Sequence, residues 1–184
     1  MEKTLQQYDR ALQKCRELFA KKTKDYGTAW CILRPKSLTD QLYIKAKRIR
    51  SIEESKEQKV ADSVEDEFIA LVNYSLMALI KLSPEGKDCG EEGLPAEKAI
   101  ALYDLKAQHI RRLMQAKNHD YGEAWRDMRI SSLTDLILMK ILRLKQIEDN
   151  KGKTLVSEGP EGSYTDIANY ALFALIKLEE TTQH

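Results

Sequence analysis

Glycine and proline are scarce in this sequence, 8 and 4 in 184 residues, and aromatics make up only 7%. Collagen-like and low-complexity chains carry far more glycine and proline, so both classes are excluded. There are three cysteines, Cys15, Cys31 and Cys89. An odd, widely spaced set does not read as a disulfide framework. With no signal-peptide pattern ahead of it, it implies a reducing compartment. No uninterrupted apolar run reaches the roughly 20 residues of a membrane span, because Lys140 and Arg143 break the longest stretches. Charge of one sign is absent too, with 30 Lys and Arg against 29 Asp and Glu. The balance holds in each half, 17 basic and 16 acidic up to Glu92, and 13 of each beyond it. Non-specific duplex binding rests on neutralising phosphates, so this evenness argues against nucleic-acid binding of that kind. The expectation is a soluble cytoplasmic protein with no membrane contact. A chain this long can bury roughly 70% of its extended surface and needs no metal or disulfide to fold. What is abundant is Leu, Ala, Lys, Glu, Ile and Arg, the residues of helices.

Sliding the chain along itself shows an internal repeat. At an offset of 95, Lys22-Thr-Lys-Asp-Tyr-Gly-Thr-Ala-Trp30 lies on Lys117-Asn-His-Asp-Tyr-Gly-Glu-Ala-Trp125, and Ser37-Leu-Thr-Asp40 lies on Ser132-Leu-Thr-Asp135. Between residues 22 and 40, 11 of 19 positions are identical. Lys45 and Arg48 fall on Lys140 and Arg143; one residue of offset later, Asn73-Tyr74 falls on Asn169-Tyr170. The chain is therefore read as a tandem duplication: residues 1–82, a linker at 83–95 rich in glycine, proline and charge, and residues 96–184.

Each unit reads as three helices. The first is expected near Thr4–Lys22 and Ala96–Lys117, where apolar residues recur every three or four positions. The second is expected after Ser37 and Ser132, with Ser-Leu-Thr-Asp as an N-terminal cap. The third is expected near Val64–Leu82 and Tyr164–Glu179. Period-two alternation is nowhere sustained, so the fold class is all-α, without a sheet. The second helix of the second unit, with Leu133, Leu136, Ile137, Leu138, Met139, Ile141, Leu142 and Leu144, is apolar nearly all round. Such a helix is expected at the centre. One unit could not cover it, so the halves should pack about an approximate two-fold axis and share one core. Further association into a homodimer stays open.

Three segments carry candidate chemistry. Asp120-Tyr121-Gly-x-Ala-Trp125 joins the first two helices, read as a non-helical stretch; its aromatics either stack a base or plug the end of a bundle. Lys140 and Arg143 share a face of an apolar helix, and either meet phosphate or pair internally. Asp166-x-x-Asn169 places a carboxylate and an amide on one face, suited to a divalent cation or a sugar hydroxyl, with first-turn dipole placement as the structural alternative. The first unit has Ala70 at the place of Asp166, so the acid is missing there. The two asparagines either bridge the two-fold or bind ligand. His109, His119 and His184 have no ligand spacing, Cys15 and Cys89 show no pairing, and no glycine-rich phosphate loop or nucleophile elbow is present.

Lys117-x-His-Asp-Tyr-Gly-x-Ala-Trp125, Ser-Leu-Thr-Asp135, Lys140, Arg143 and Asp166-x-x-Asn169-Tyr170 resemble the nucleotide modification associated domain 1 family, in both halves and more closely in the second. The resemblance implies an all-α fold and an involvement with modified nucleotides. A more distant similarity to the all-α nucleoside triphosphate pyrophosphatases rests on Glu53-Glu-Ser-Lys-Glu57. That similarity would imply magnesium held by acidic helices, but the acid set is incomplete here. The functional expectation is a nucleotide-binding or nucleotide-processing domain, with magnesium as candidate cofactor and no commitment to an enzyme. Its ligand-binding candidates are Asp120, Tyr121, Trp125, Lys140, Arg143 and Asn169, with Asp166 as metal ligand. The alternative is a non-catalytic scaffold whose repeated motif only shapes a helix connector.

Overall fold

A computed structural model describes residues 1–55, 64–156 and 159–183. Six helices account for most of it: α1 Glu2–Tyr26, α2 Pro35–Glu54, α3 Val64–Leu82, α4 Ala96–Tyr121, α5 Ile130–Asp149 and α6 Pro160–Thr182. Short 3₁₀ turns at Ala29–Ile32 and Ala124–Asp127 follow α1 and α4, and a third lies in the linker at Pro84–Asp88. Among the described residues there is no strand. Glu57 and His184, named in the sequence reading, lie outside the described residues.

The helices form three layers of two. α3 and α6 make the middle layer, α2 and α5 cover one side, and α1 and α4 cover the other. The centre is therefore not α5, as its apolar sequence suggested. Phe68, Leu71, Val72, Leu76 and Ile80 of α3, with Ile167, Ala168, Ala171, Leu172 and Ile176 of α6, have no exposure at all. α5 buries Leu133, Ile137, Ile141 and Leu144 but leaves Met139 and Leu142 about half exposed. Small residues decide the difference: Ser75, Ala78, Ala168, Ala171 and Ala174 let the middle helices be approached from both sides.

The two units are related by a pseudo-two-fold, and polar contacts across it come in matched pairs. Tyr8 Oη donates to Asn169 Oδ1 at 2.7 Å, and Tyr103 Oη donates to Asn73 Oδ1 at 2.7 Å. The Asn169 amide nitrogen donates to the Ile110 carbonyl at 3.1 Å, and that of Asn73 to the Cys15 carbonyl at 3.1 Å. Arg16 grips Asp104 with two nitrogens, and Arg111 grips Asp9 in the same way. Thr39 donates to Glu148 at 2.6 Å, while Thr134 donates to Glu53 at 3.1 Å. Each member of a pair lies 95 or 96 residues from its counterpart, so the duplication built one two-fold interface rather than two separate domains.

Three local expectations are corrected. α1 and α4 extend to Tyr26 and Tyr121, so Asp120 and Tyr121 sit on the last helical turn rather than in a loop. What ends each helix is glycine: Gly27 has φ 70, ψ −148 and Gly122 has φ 68, ψ −159, a region open essentially to glycine alone. Ser-Leu-Thr-Asp does not cap. α2 begins at Pro35 and α5 at Ile130, no side chain caps either start, and Ser37 and Ser132 lie within the first turn. A proline at the first helical position already has its φ fixed for a helix, which moves the start of α2 forward. Cys31 and Cys89 are bonded to each other, which fastens the linker over the first unit's connector and removes the argument for a reducing compartment. No described helix is long and apolar enough to cross a membrane.

Candidate functional site

The repeated connector is a seal. Trp125 lies flat on Phe173, centroids 4.3 Å apart and planes 3° from parallel, with the Arg126 guanidinium 4.5 Å over its other face. Trp30 packs against Phe19, which in turn stacks on Tyr103 at 4.5 Å. Both indoles are buried, and neither indole nitrogen has a partner among the described residues. Trp125 is thus closed off from any base, and the plug reading of the two aromatics holds for the tryptophans.

Tyr121 is the opposite case. The last turn of α4 leaves it 80% exposed, beside the exposed His119 and Asp120, whose ring nitrogen and carboxylate are 3.3 Å apart. On the same helix, four residues before Tyr121, stands Lys117. Its ammonium donates to Asp166 Oδ1 at 2.9 Å, and Lys140 from α5 reaches Asp166 Oδ2 at 3.0 Å. Three helices therefore converge on one carboxylate. The hydrogen bond to Asp166 is the main reason that Lys117 holds its proton more firmly than an ordinary lysine. Tyr170, one turn beyond Asp166 on α6, is half-buried, and that burial raises its phenol. The Lys117 ammonium feels both Tyr170 and Tyr121. The cluster is a pair of ammonium groups around a single acid, flanked by one half-buried and one exposed phenol ring.

Asp166 is not in a first turn. α6 starts at Pro160, which puts Asp166 in the second turn, where dipole placement no longer explains it. The first unit does carry an acid, one turn earlier than Ala70. Glu67 is buried there, taking a hydrogen bond from Arg48 at 2.7 Å and lying 3.5 Å from the Lys45 ammonium. That longer contact is an ion pair without a hydrogen bond. Each unit thus answers its Lys-x-x-Arg helix with a carboxylate on the following helix, shifted by three residues between copies. The carboxylate is buried more deeply in the first version, its side chain 5% exposed at Glu67 against 19% at Asp166, and the second adds Lys117 with 57% of its side chain in solvent.

The remaining sequence candidates do not join this cluster. Arg143 is exposed on the outer face of α5 and has no ion pair among the described residues. Asn169 is buried with both amide atoms used in the fold, so its part is the two-fold bridge. No group of three His, Cys, Asp or Glu suited to a metal exists among the described residues. Burial pushes the Cys15 thiol up to about 12, which keeps it in the thiol form rather than the reactive thiolate. The residue that the sequence reading passed over is Lys117. It opens the repeated Lys-x-x-Asp-Tyr-Gly motif, and its identity with Lys22 was the available signal.

No curated protein and no solved structure matches the chain. The family model described as nucleotide modification associated domain 1 matches twice, over residues 22–82 and 117–178. Those two stretches run from the connector motif to Leu82 at the end of α3 and to Leu178 in the last part of α6, covering more than half of the chain. The chain belongs to the nucleotide modification associated domain 1 family, as a tandem pair.

Proposed function

We propose that the protein binds a nucleotide or nucleoside phosphate at the Lys117–Lys140–Asp166 cluster of the second unit. The observation that supports this reading is the convergence of two ammonium groups beside an exposed tyrosine, in a family named for nucleotide modification. Each ammonium has three donors; Lys117 gives one to Asp166 while Lys140 meets the same carboxylate as an ion pair, which leaves donors for phosphate oxygens. Tyr121 supplies a free ring face on which a base can stack. Asp166 acts here as the counter-charge that holds the two lysines in place. It is not taken as a metal ligand, because two ammonium groups at 2.9 and 3.0 Å oppose a further cation. Magnesium would enter with the phosphates it neutralises. Asp120 sits beside Tyr121, where it would disfavour phosphate and orient a sugar hydroxyl.

Calorimetric titration with nucleoside mono-, di- and triphosphates, each with and without magnesium, tests the reading. Binding should be lost in Lys117→Ala and weakened in Tyr121→Ala, two exposed positions where folding is not at risk. No heat with any of these ligands would refute it. A scaffold without a ligand would then remain, a reading favoured by the burial of both connector tryptophans.

A further inference from the structure

We propose that the outer face of α5 is a homodimer interface, with α5 packed antiparallel on α5 of a second copy about a two-fold axis beside Met139. The face holds a shallow apolar groove in which Met139 is 44% and Leu142 52% exposed, over a floor of Leu138. The repeat supplies an internal control. Leu142 corresponds to Lys47 on α2, and Lys47 is exposed and well accommodated there. The fold therefore does not need an apolar residue at this position, yet the second unit has one in solvent. On α2 the neighbouring ring of Tyr43 is covered by the Lys145 ammonium, 4.0 Å from its centroid. On α5 the corresponding Arg50 lines the groove without covering Met139 or Leu142; Met139 corresponds to Ile44, itself 54% exposed, so the contrast between the units rests on Leu142.

Charge identifies the occupant. Asp135 lies four residues before Met139 and Arg143 four residues after it, so both share its stripe of the helix. Arg143 has no ion pair among the described residues, whereas its counterpart Arg48 is bound to Glu67. Asp135 is exposed, with Arg50 at 3.8 Å as its only ion-pair contact among the described residues. An antiparallel copy centred on Met139 sets Asp135 against Arg143 of the second copy, and Arg143 against its Asp135. The pattern of acid, apolar centre and base is self-complementary under a two-fold, the property an isologous interface requires. A parallel arrangement would set like charges together.

Sedimentation velocity of the full chain over a wide concentration range, without nucleotide, tests this independently of the ligand-binding proposal. The expected result is a concentration-dependent dimer. Leu142→Lys copies the residue that α2 already carries, so folding should be retained, as checked by circular dichroism. It should raise the dissociation constant about a hundredfold, since one leucine is lost from each side. Arg143→Asp alone should weaken the dimer about tenfold, and the double exchange Asp135→Arg with Arg143→Asp should restore it. A monomer at every concentration, or a dimer indifferent to Leu142→Lys, would overturn the interface. Failure of the double exchange to restore what Arg143→Asp loses would overturn the antiparallel register.

Discussion

Removing one hydroxyl from each tyrosine bridge measures how the two units hold together. Tyr8 and Tyr103 have no exposure, and each donates at 2.7 Å to an asparagine of the other unit. Tyr→Phe keeps the ring, so packing is preserved and the Phe19–Tyr103 stack survives. What is lost is the donor to Asn169 or Asn73, whose carbonyl oxygens are then stranded out of water. A buried acceptor without its partner costs about 1–3 kcal/mol. We expect about 1.5 kcal/mol for each variant, which in a chain of this size lowers the Tm by roughly 3–6 °C. Thermal and urea unfolding would be measured for Tyr8→Phe, Tyr103→Phe and Asn169→Leu. Combining Tyr8→Phe with Asn169→Leu should cost about 1 kcal/mol less than the sum of the two, because both remove the same bond. The two tyrosines also serve as controls for each other. Near-neutral Tyr→Phe variants would show that the bridges do not hold the units. A costly Tyr8→Phe beside a neutral Tyr103→Phe would break the equivalence that the two-fold demands.

Gly27→Ala and Gly122→Ala should each cost about 1–3 kcal/mol, although a Cβ at either place would touch nothing within 4 Å. Chemical denaturation checks this, and a neutral result would mean that the connector relaxes to another conformation. Burial lifts the Glu53 and Glu148 carboxyls above their ordinary 4.5. The folded state therefore holds these protons more tightly than the unfolded one. The associated stability is complete below pH 4.5 and falls as pH rises through the raised values. Glu148→Gln should then raise the Tm at pH 7 and lose that advantage near pH 4; an equal effect at both would refute the assignment. Reducing the Cys31–Cys89 bond, which closes 58 residues, should cost up to about 4 kcal/mol. A thermal melt with and without a thiol reductant reads it, and an unchanged Tm would show that the linker stays in place without the bond.

Much of this protein was legible without coordinates because duplication writes structure twice. The 95-residue offset located equivalent helices, the matching connectors and the two-fold, since residues that repeat in sequence must occupy repeated environments. Helical period and the lack of alternation set the fold class, because both follow from local geometry. The sequence could not order the layers. α5 is the more apolar helix, but centrality depends on which surfaces can be covered on two sides, and that fell to α3 and α6. Nor could it say that Asn73 and Asn169 face each other's tyrosines, or that Glu67 takes the place of the acid missing at Ala70. A side chain one helical turn away lands on the same face, so an alignment that matches positions one to one loses it. The disulfide escaped for a related reason: Cys31 and Cys89 belong to a connector and a linker, whose approach only folding decides. The same limit moved Trp125 from the candidate site into the core and brought Lys117 into its place. Local periodicity says which residues share a face; the packing of all six helices decides whether that face meets protein, water or a ligand.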